Sequence, residues 1–304
     1  MKELVWGGRK LADLGKALPA DKPIGESWEV VDLPDDQSVV AEGAYAGMTL
    51  QSLCERERDA LLGPVALDGG RFPLLVKYIH AERTLSVQVH PDEEACARMG
   101  RGRPKNEAWY ILDAEPGAVL YLGLKPGTTR AQLEASIADG SIEQLLVQVE
   151  AKPGMLAPVR PGTLHAIGAG IVLAEVQQPS DTTYRVYDWG RVGLDGKPRQ
   201  LHIAESLECT RLDAAVDVTQ TQLDAGHFLG AIHALADGEV AIDGGGPRVV
   251  VALGGTAVLS SSTLGSPLML SRGKVALVPH AVSDAKVRDA GEGKVLVVRF
   301  PAGG

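Results

Sequence analysis

Residues 85–94 read LSVQVHPDEE, and the alternation within them decides the fold. In an extended strand successive side chains point to opposite faces, so Leu85, Val87 and Val89 share one face and Ser86, Gln88 and His90 the other. The first is an ordinary core face. The second carries an amide and an imidazole two residues apart and is stopped at once by Pro91 and an acidic turn. Such a strand ends at the rim of a β fold, with polar groups turned toward an interior.

Working outward, short runs rich in Val, Ile and Leu recur between Gly, Pro and Asp punctuation: ESWEVV, QSVVAEG, PLLVKYI, EAWYIL, AVLYLGL and GIVLAEVQ. Runs of this length and spacing predict a mostly antiparallel β-sandwich or barrel. Helical periodicity is confined to 48–62, where Thr49 is placed to cap, and to 128–147, where Gly140 divides two short helices. A second strand series, HFLGAIHAL, RVVVALGG, PLMLSRGKVALVP and GKVLVVRF, follows a loosening of the pattern near residue 212. The frame of Gly154 and Pro161-Gly162 is echoed by Gly273 and Pro279, as in the turn-strand-turn that closes a double-stranded β-helix. The expected fold is therefore mostly β: two cupin (jelly-roll) barrels with a few short helices. The expected domains are 1–212, with the metal site, and 213–304, metal-free because Ser283 or Asp284 stands where the first copy has His165.

At 304 residues the chain is long enough for a large core. The formal charge of -9 is spread without a basic block, which argues against a nucleic-acid groove or an anionic membrane surface. Three cysteines at wide spacing form no CxxC pair and fit a reduced, cytoplasmic protein. The start MKELVWGGRK has no apolar signal core, and no later run approaches about eighteen apolar residues, so neither export nor a membrane span is expected. WGGRK and GAGIVL read as turns, and no GxxxxGK[ST] phosphate loop occurs.

The opening strand finds its purpose in two further residues. Glu107, starting the run EAWYIL, adds a carboxylate, and His165, after the turn RPGTL, a second imidazole. With Gln88 and His90 they make a set of two imidazoles, one carboxylate and one amide oxygen, suited to a borderline ion such as zinc. One carboxylate leaves a divalent ion with positive charge to spare, so it stays a Lewis acid. Taken singly, each residue is commonplace on a polar rim; the combination is what carries the reading.

The stretches IGESWEVVD (24–32), LSVQVHPDE (85–93), KNEAWYI (105–111), PGTLHAIGAG (161–170) and EVQQPSDTTYRVYDWGR (175–191) resemble the short bacterial type I mannose-6-phosphate isomerases, and WGGRKL and SRGKVALVP extend the likeness over nearly the whole chain. The resemblance implies a zinc-dependent, cupin-type enzyme interconverting mannose 6-phosphate and fructose 6-phosphate. It assigns the metal to Gln88, His90, Glu107 and His165, points to Arg185 as the catalytic arginine, and makes Lys105 and Glu175 active-site neighbours. Longer relatives carry a histidine just before the lysine matching Lys105; here that place is Pro104, and the histidine's role does not transfer.

Aldose–ketose isomerisation moves a proton between adjacent carbons through an enediol, so charge appears on the oxygens and must be stabilised while a base shuttles the proton. A guanidinium stays protonated, which gives Arg185 charge stabilisation rather than base work. The plain alternative is that Arg185 stacks on neighbouring aromatics or pairs with Asp181 or Asp188. Glu175, a carboxylate on an apolar strand, is either paired or functional. Lys105 could move protons, supply charge to substrate, or sit solvated in its turn. Lys77 and Ser86 are the expected phosphate donors, and His80, His202, His227, His233 and His280 match no ligand frame. The expected partner is a small sugar phosphate. The rival reading is a non-catalytic sugar-phosphate-binding or regulatory cupin protein, and a cupin oxygenase is a third.

Overall fold

The computed structural model describes residues 1–214, 217–219, 221–236 and 238–301. The first strands are β1 (Lys2–Gly8) and β2 (Ile24–Val30), then the short pair β3 (Asp32–Leu33) and β4 (Asp36–Gln37). Helices α1 (Leu50–Arg56) and α2 (Arg58–Leu62) precede β5 (Leu75–Ala81), β6 (Val87–Val89), α3 (Glu93–Met99), β7 (Glu107–Ala114) and β8 (Val119–Leu124). Then come α4 (Arg130–Asp139), β9 (Leu146–Glu150), β10 (Leu156–Val159), β11 (His165–Ile167), β12 (Ile171–Gln177), β13 (Tyr184–Tyr187) and α5 (Ile203–Cys209). The second series is β14 (Gln222–Asp224), β15 (Leu229–Ala234), β16 (Glu239–Ala241), β17 (Arg248–Gly254) and β18 (Thr256–Ser260). It closes with β19 (Leu268–Ser271), β20 (Val275–Val278), β21 (Lys286–Asp289) and β22 (Lys294–Arg299).

The expected mostly-β, cupin-like class is what the chain adopts. One sheet runs β1-β2-β5-β12-β7-β10 and another β13-β6-β11-β8-β9. Trp109, Ile111, Leu173 and Ala157 from the first meet Leu120, Leu122 and Ile167 from the second in one buried cluster. The opposite face of the second sheet, with Val87, Val89, Tyr121, Ala166 and Val186, is closed by Ala95, Leu133 and Cys209 of helices α3, α4 and α5. Leu85, Val87 and Val89 were expected to share a core face; Val87 and Val89 do, but Leu85, just before β6, packs with the inner cluster instead. This places Gln88 on the inner side.

In the C-terminal strand series the sheets run β14-β15-β22-β17-β20 and β16-β21-β18-β19. Val250, Ala252, Val295 and Val297 pack with Ala257, Leu259, Leu270 and Val287 between them. The order β15-β22-β17-β20 repeats β5-β12-β7-β10, and the register repeats too: Glu107 opens β7 opposite Val159, and Arg248 opens β17 opposite Val278. Where the first sheet has a carboxylate, the second has a buried guanidinium, which donates to the carbonyls of Gly246 and Pro279, both at 3.0 Å, and of Val282.

The division into compact units differs from a single cut at 212. One unit comprises 1–11, 17–27 and 78–218; the other comprises 12–16, 28–77 and 219–304. The change at 218 lies near the expected boundary, but the segment 28–77, expected with the metal site, belongs with the C-terminal strands. QSVVAEG forms no strand beyond Gln37, only an isolated bridge from Val39 to Thr49, and WGG is strand rather than turn. No described helix is long and apolar enough to cross a membrane.

Candidate metal centre and active site

A single row of side chains crosses the second sheet. Gln88, in β6, is opposite Arg185 of β13 on one side and His165 of β11 on the other. Directly opposed residues of an antiparallel ladder project on the same face, so all three enter the interior together. His90 follows where the strand stops, its carbonyl accepting from Gly162 N–H at 2.9 Å, in the turn that carries His165. Glu107 arrives from the facing sheet as the first residue of β7, opposite Gln177 of β12.

The four expected ligands meet. His90 Nε2 is 3.1 Å from Glu107 Oε2, and His165 Nε2 is 3.3 Å from Glu107 Oε1. The Gln88 amide nitrogen, Nε2, is 3.2 Å from His165 Nε2, and the ligand atoms of His90, Glu107 and His165 all lie within 4.8 Å of one another. Both histidines and Glu107 are about 1% exposed.

Protonation decides what this cluster wants. Each histidine pairs Nδ1 with a backbone carbonyl, His90 with Thr182 at 2.9 Å and His165 with Thr163 at 2.8 Å. A carbonyl only accepts, so Nδ1 carries the hydrogen and Nε2 of the neutral ring is a lone pair. Burial, then the charge of Lys105, pushes His90 down to about 3; burial also lowers His165, so both rings are neutral at neutral pH. Burial opposes ionisation of Glu107, but Lys105, 2.9 Å from its Oε2, helps hold the carboxyl well below its usual range. The His90 lone pair therefore faces an anion with no hydrogen bond to satisfy His90 Nε2 or either Glu107 oxygen, while the His165 lone pair meets the Gln88 amide nitrogen as well as Glu107. Buried acceptors facing one another are costly unless a cation lies between them. Two imidazole nitrogens and a carboxylate without thiolate fit zinc, and the Gln88 amide, turned over so that its oxygen faces the cluster, would complete four ligands.

The neighbours extend the charge pattern. Lys105 lies in the loop before β7, and its Nζ is also 3.8 Å from Glu175 Oε1. Glu175 is opposite Trp109 across the ladder, and the indole Nε1–H donates to its Oε2 at 2.9 Å. Trp109 also sets its ring edge-on to His165 at 5.5 Å between centroids. Sequence reading passed over Trp109; its parity with Glu107 on EAWYIL was the available signal.

Arg185 does not pair with Asp181 or Asp188. Its Nε donates to Ser86 Oγ at 3.2 Å and its Nη1 to Gln200 O at 2.8 Å, while no described protein acceptor takes Nη2. Asp188 instead binds Arg191, whose Nε donates at 2.8 Å, and Arg199, whose Nε donates at 2.7 Å. Ser86 thus joins the site through Arg185. Lys77 is buried in β5 on the strand face of Ile79 and Ala81, and belongs to the unit containing 28–77.

A family model described as the type I phosphomannose isomerase catalytic domain matches residues 1–118. The chain is similar to mannose-6-phosphate isomerase ManA of Bacillus subtilis (strain 168), 44% identical over 208 residues. That match covers 68% of this chain and 64% of the relative, so just under two thirds of the relative's length is spanned. Among solved structures it resembles the mannose 6-phosphate isomerase from Bacillus subtilis, with a TM-score of 0.84 and 29% identity over 98% of this chain and 96% of that one. A mannose 6-phosphate isomerase solved with zinc and yttrium shares the fold, with a TM-score of 0.73 and 20% identity over 98% and 97% of the two chains.

Proposed function

The chain belongs to the type I phosphomannose isomerase family, and we propose that it interconverts mannose 6-phosphate and fructose 6-phosphate by metal-assisted proton transfer between adjacent carbons. The observation that carries the reading is the buried meeting of two imidazole lone pairs with the Glu107 carboxylate. Gln88, His90, Glu107 and His165 would hold one zinc ion, which when bound supplies a Lewis acid for the sugar oxygens. The zinc in a relative of the same fold supports that choice of ion.

The chain's own groups do the rest. Glu175, oriented by the Trp109 indole, is the group that takes and returns the proton. Lys105, within ion-pair distance of both Glu107 and Glu175, helps keep Glu107 ionised and offers a cation to the sugar hydroxyls. Arg185 presents Nη2 to the charge that develops on the substrate oxygens of the cis-enediol. Ser86 fixes the guanidinium and is the proposed donor to the phosphate.

The test is a coupled assay on metal-stripped protein, with and without added zinc, combined with measurement of C2 proton exchange in deuterated water. Turnover and exchange should vanish on stripping and return with zinc. Sugar-phosphate binding without exchange in the zinc-loaded protein would instead identify a non-catalytic binder, and turnover undiminished by stripping would remove the metal from the reaction.

A further inference from the structure

Among the described strands β13 is an edge of its sheet, paired only with β6. Edge strands expose a row of N–H and C=O groups that need another partner. At Arg185 a single residue supplies both bonds. The Arg185 N–H donates to His202 Nδ1 at 3.2 Å, and the His202 N–H donates to Arg185 O at 2.8 Å. Arg185 therefore turns its backbone away from β6 and forms a non-hydrogen-bonded pair with Gln88. Such pairs bring their Cα atoms to about 4.5 Å and their side chains closest together.

The same short segment holds the side chain, since Gln200 O accepts from Nη1 at 2.8 Å. His202 is itself fixed: its carbonyl accepts from Ser206 N at 2.8 Å at the start of α5, and its ring lies edge-on to Tyr184 at 5.9 Å. Accepting at Nδ1 requires a lone pair there, so the imidazole is in the Nε2–H form.

We propose that His202 is a positioning residue for Arg185: it replaces a missing neighbour strand at this one residue and so fixes where the guanidinium stands beside Gln88. The inference rests on the role given to Arg185 above. It singles out a histidine that belongs to no ligand set and acts only through the arginine's backbone.

The experiment is a double-mutant cycle on the zinc-loaded protein, with hydrogen–deuterium exchange of the segment containing Arg185. His202→Leu removes the acceptor, and is expected to lower kcat by about tenfold with KM changed less than about threefold. His202→Asn, whose side-chain oxygen can accept, should recover most of the loss. In an Arg185→Ala background, His202→Leu should change kcat by less than about twofold, because the residue it positions is gone. An equal loss in both backgrounds, or no loss in either, overturns the proposal. His202→Phe keeps a ring without an acceptor and serves if the leucine variant does not fold. The exchange measurement stands apart from activity: the Arg185 amide should be protected in the parent and exposed in both apolar variants. If the parent lacks isomerase activity, the functional reading fails while this exchange result still decides the positioning; an amide equally protected without the imidazole overturns it.

Discussion

At the scale of single residues, the site depends on which groups keep a charge in a dry interior. Glu107 has no hydrogen bond of its own and is kept ionised by Lys105, so it is the ligand whose neutralisation should matter most. Glu107→Gln should leave the protein folded and reduce retained zinc to below about a tenth of an equivalent per chain by elemental analysis. Trp109→Phe is the contrasting change. It removes the indole donor to Glu175 without touching a ligand, so zinc should be retained while kcat falls about tenfold, corresponding to loss of a hydrogen bond to a charged group of about 1.5 kcal/mol. The side chains that meet here were legible in the sequence because their chemistry is unusual on strands: an amide and imidazole on one face, a carboxylate opening an apolar run. Trp109 was not, because an aromatic in a strand reads as core, and here it is both core and donor. The partners of Arg185 were also out of reach, since Ser86 and Gln200 meet it only through the strand pairing and the later loop.

At the scale of elements, the segment after β13 is tied at its base by Asp188, which binds guanidinium groups from both Arg191 and Arg199. Arg191 also donates to Thr84 O, and the Trp189 indole to Leu85 O at 2.7 Å, so this clamp holds the loop against the strand that carries Gln88. Asp188→Asn leaves two partly buried cations with a neutral partner and should cost about 3 kcal/mol, read from chemical denaturation at pH 7. The sign of the pH dependence follows. Burial opposes ionisation of Asp188, but the two arginines prevail and hold its carboxyl below the usual range. A depressed carboxyl contributes stability that is complete above its unfolded value of about 3.9 and is lost as pH falls through the folded value. The stability difference between parent and Asp188→Asn should therefore shrink below about pH 4; a constant difference would show that the carboxylate charge is not what matters. Helix signals were well marked: Thr49 caps α1, and Gly140 ends α4 in a left-handed turn. Short strands were harder, because β6 and β11 have three residues each and are defined by their neighbours rather than by their own pattern.

At the scale of the whole molecule, two strand series were visible as two runs of alternating apolar segments, and the sheet order β5-β12-β7-β10 of the first recurs as β15-β22-β17-β20 in the second. What was not visible is that 28–77 belongs with the C-terminal series, because long-range contacts leave no local mark in composition. The Gly-Pro frame gave no hint of Arg248 either; it stands in the register place of Glu107 and engages the turn carbonyls with a side-chain cation. Thiol chemistry offers a global probe of packing. Burial pushes Cys54 and Cys209 up to about 12, whereas Cys96 is only partly buried. The thiolate is the reactive form, so iodoacetamide at pH 8 should label Cys96 alone in the native protein and all three cysteines after unfolding, as read by mass spectrometry. Fast labelling of Cys54 or Cys209 under native conditions would mean that the helices carrying them open readily.

The account's central claim is that Gln88, His90, Glu107 and His165 share one ion. Crystals of the zinc-loaded protein measured on both sides of the zinc absorption edge test it directly. One anomalous peak is expected among these four side chains, at about 2.0–2.2 Å from each ligand atom; a well-ordered site without such a peak, with zinc bound elsewhere or not at all, would contradict it.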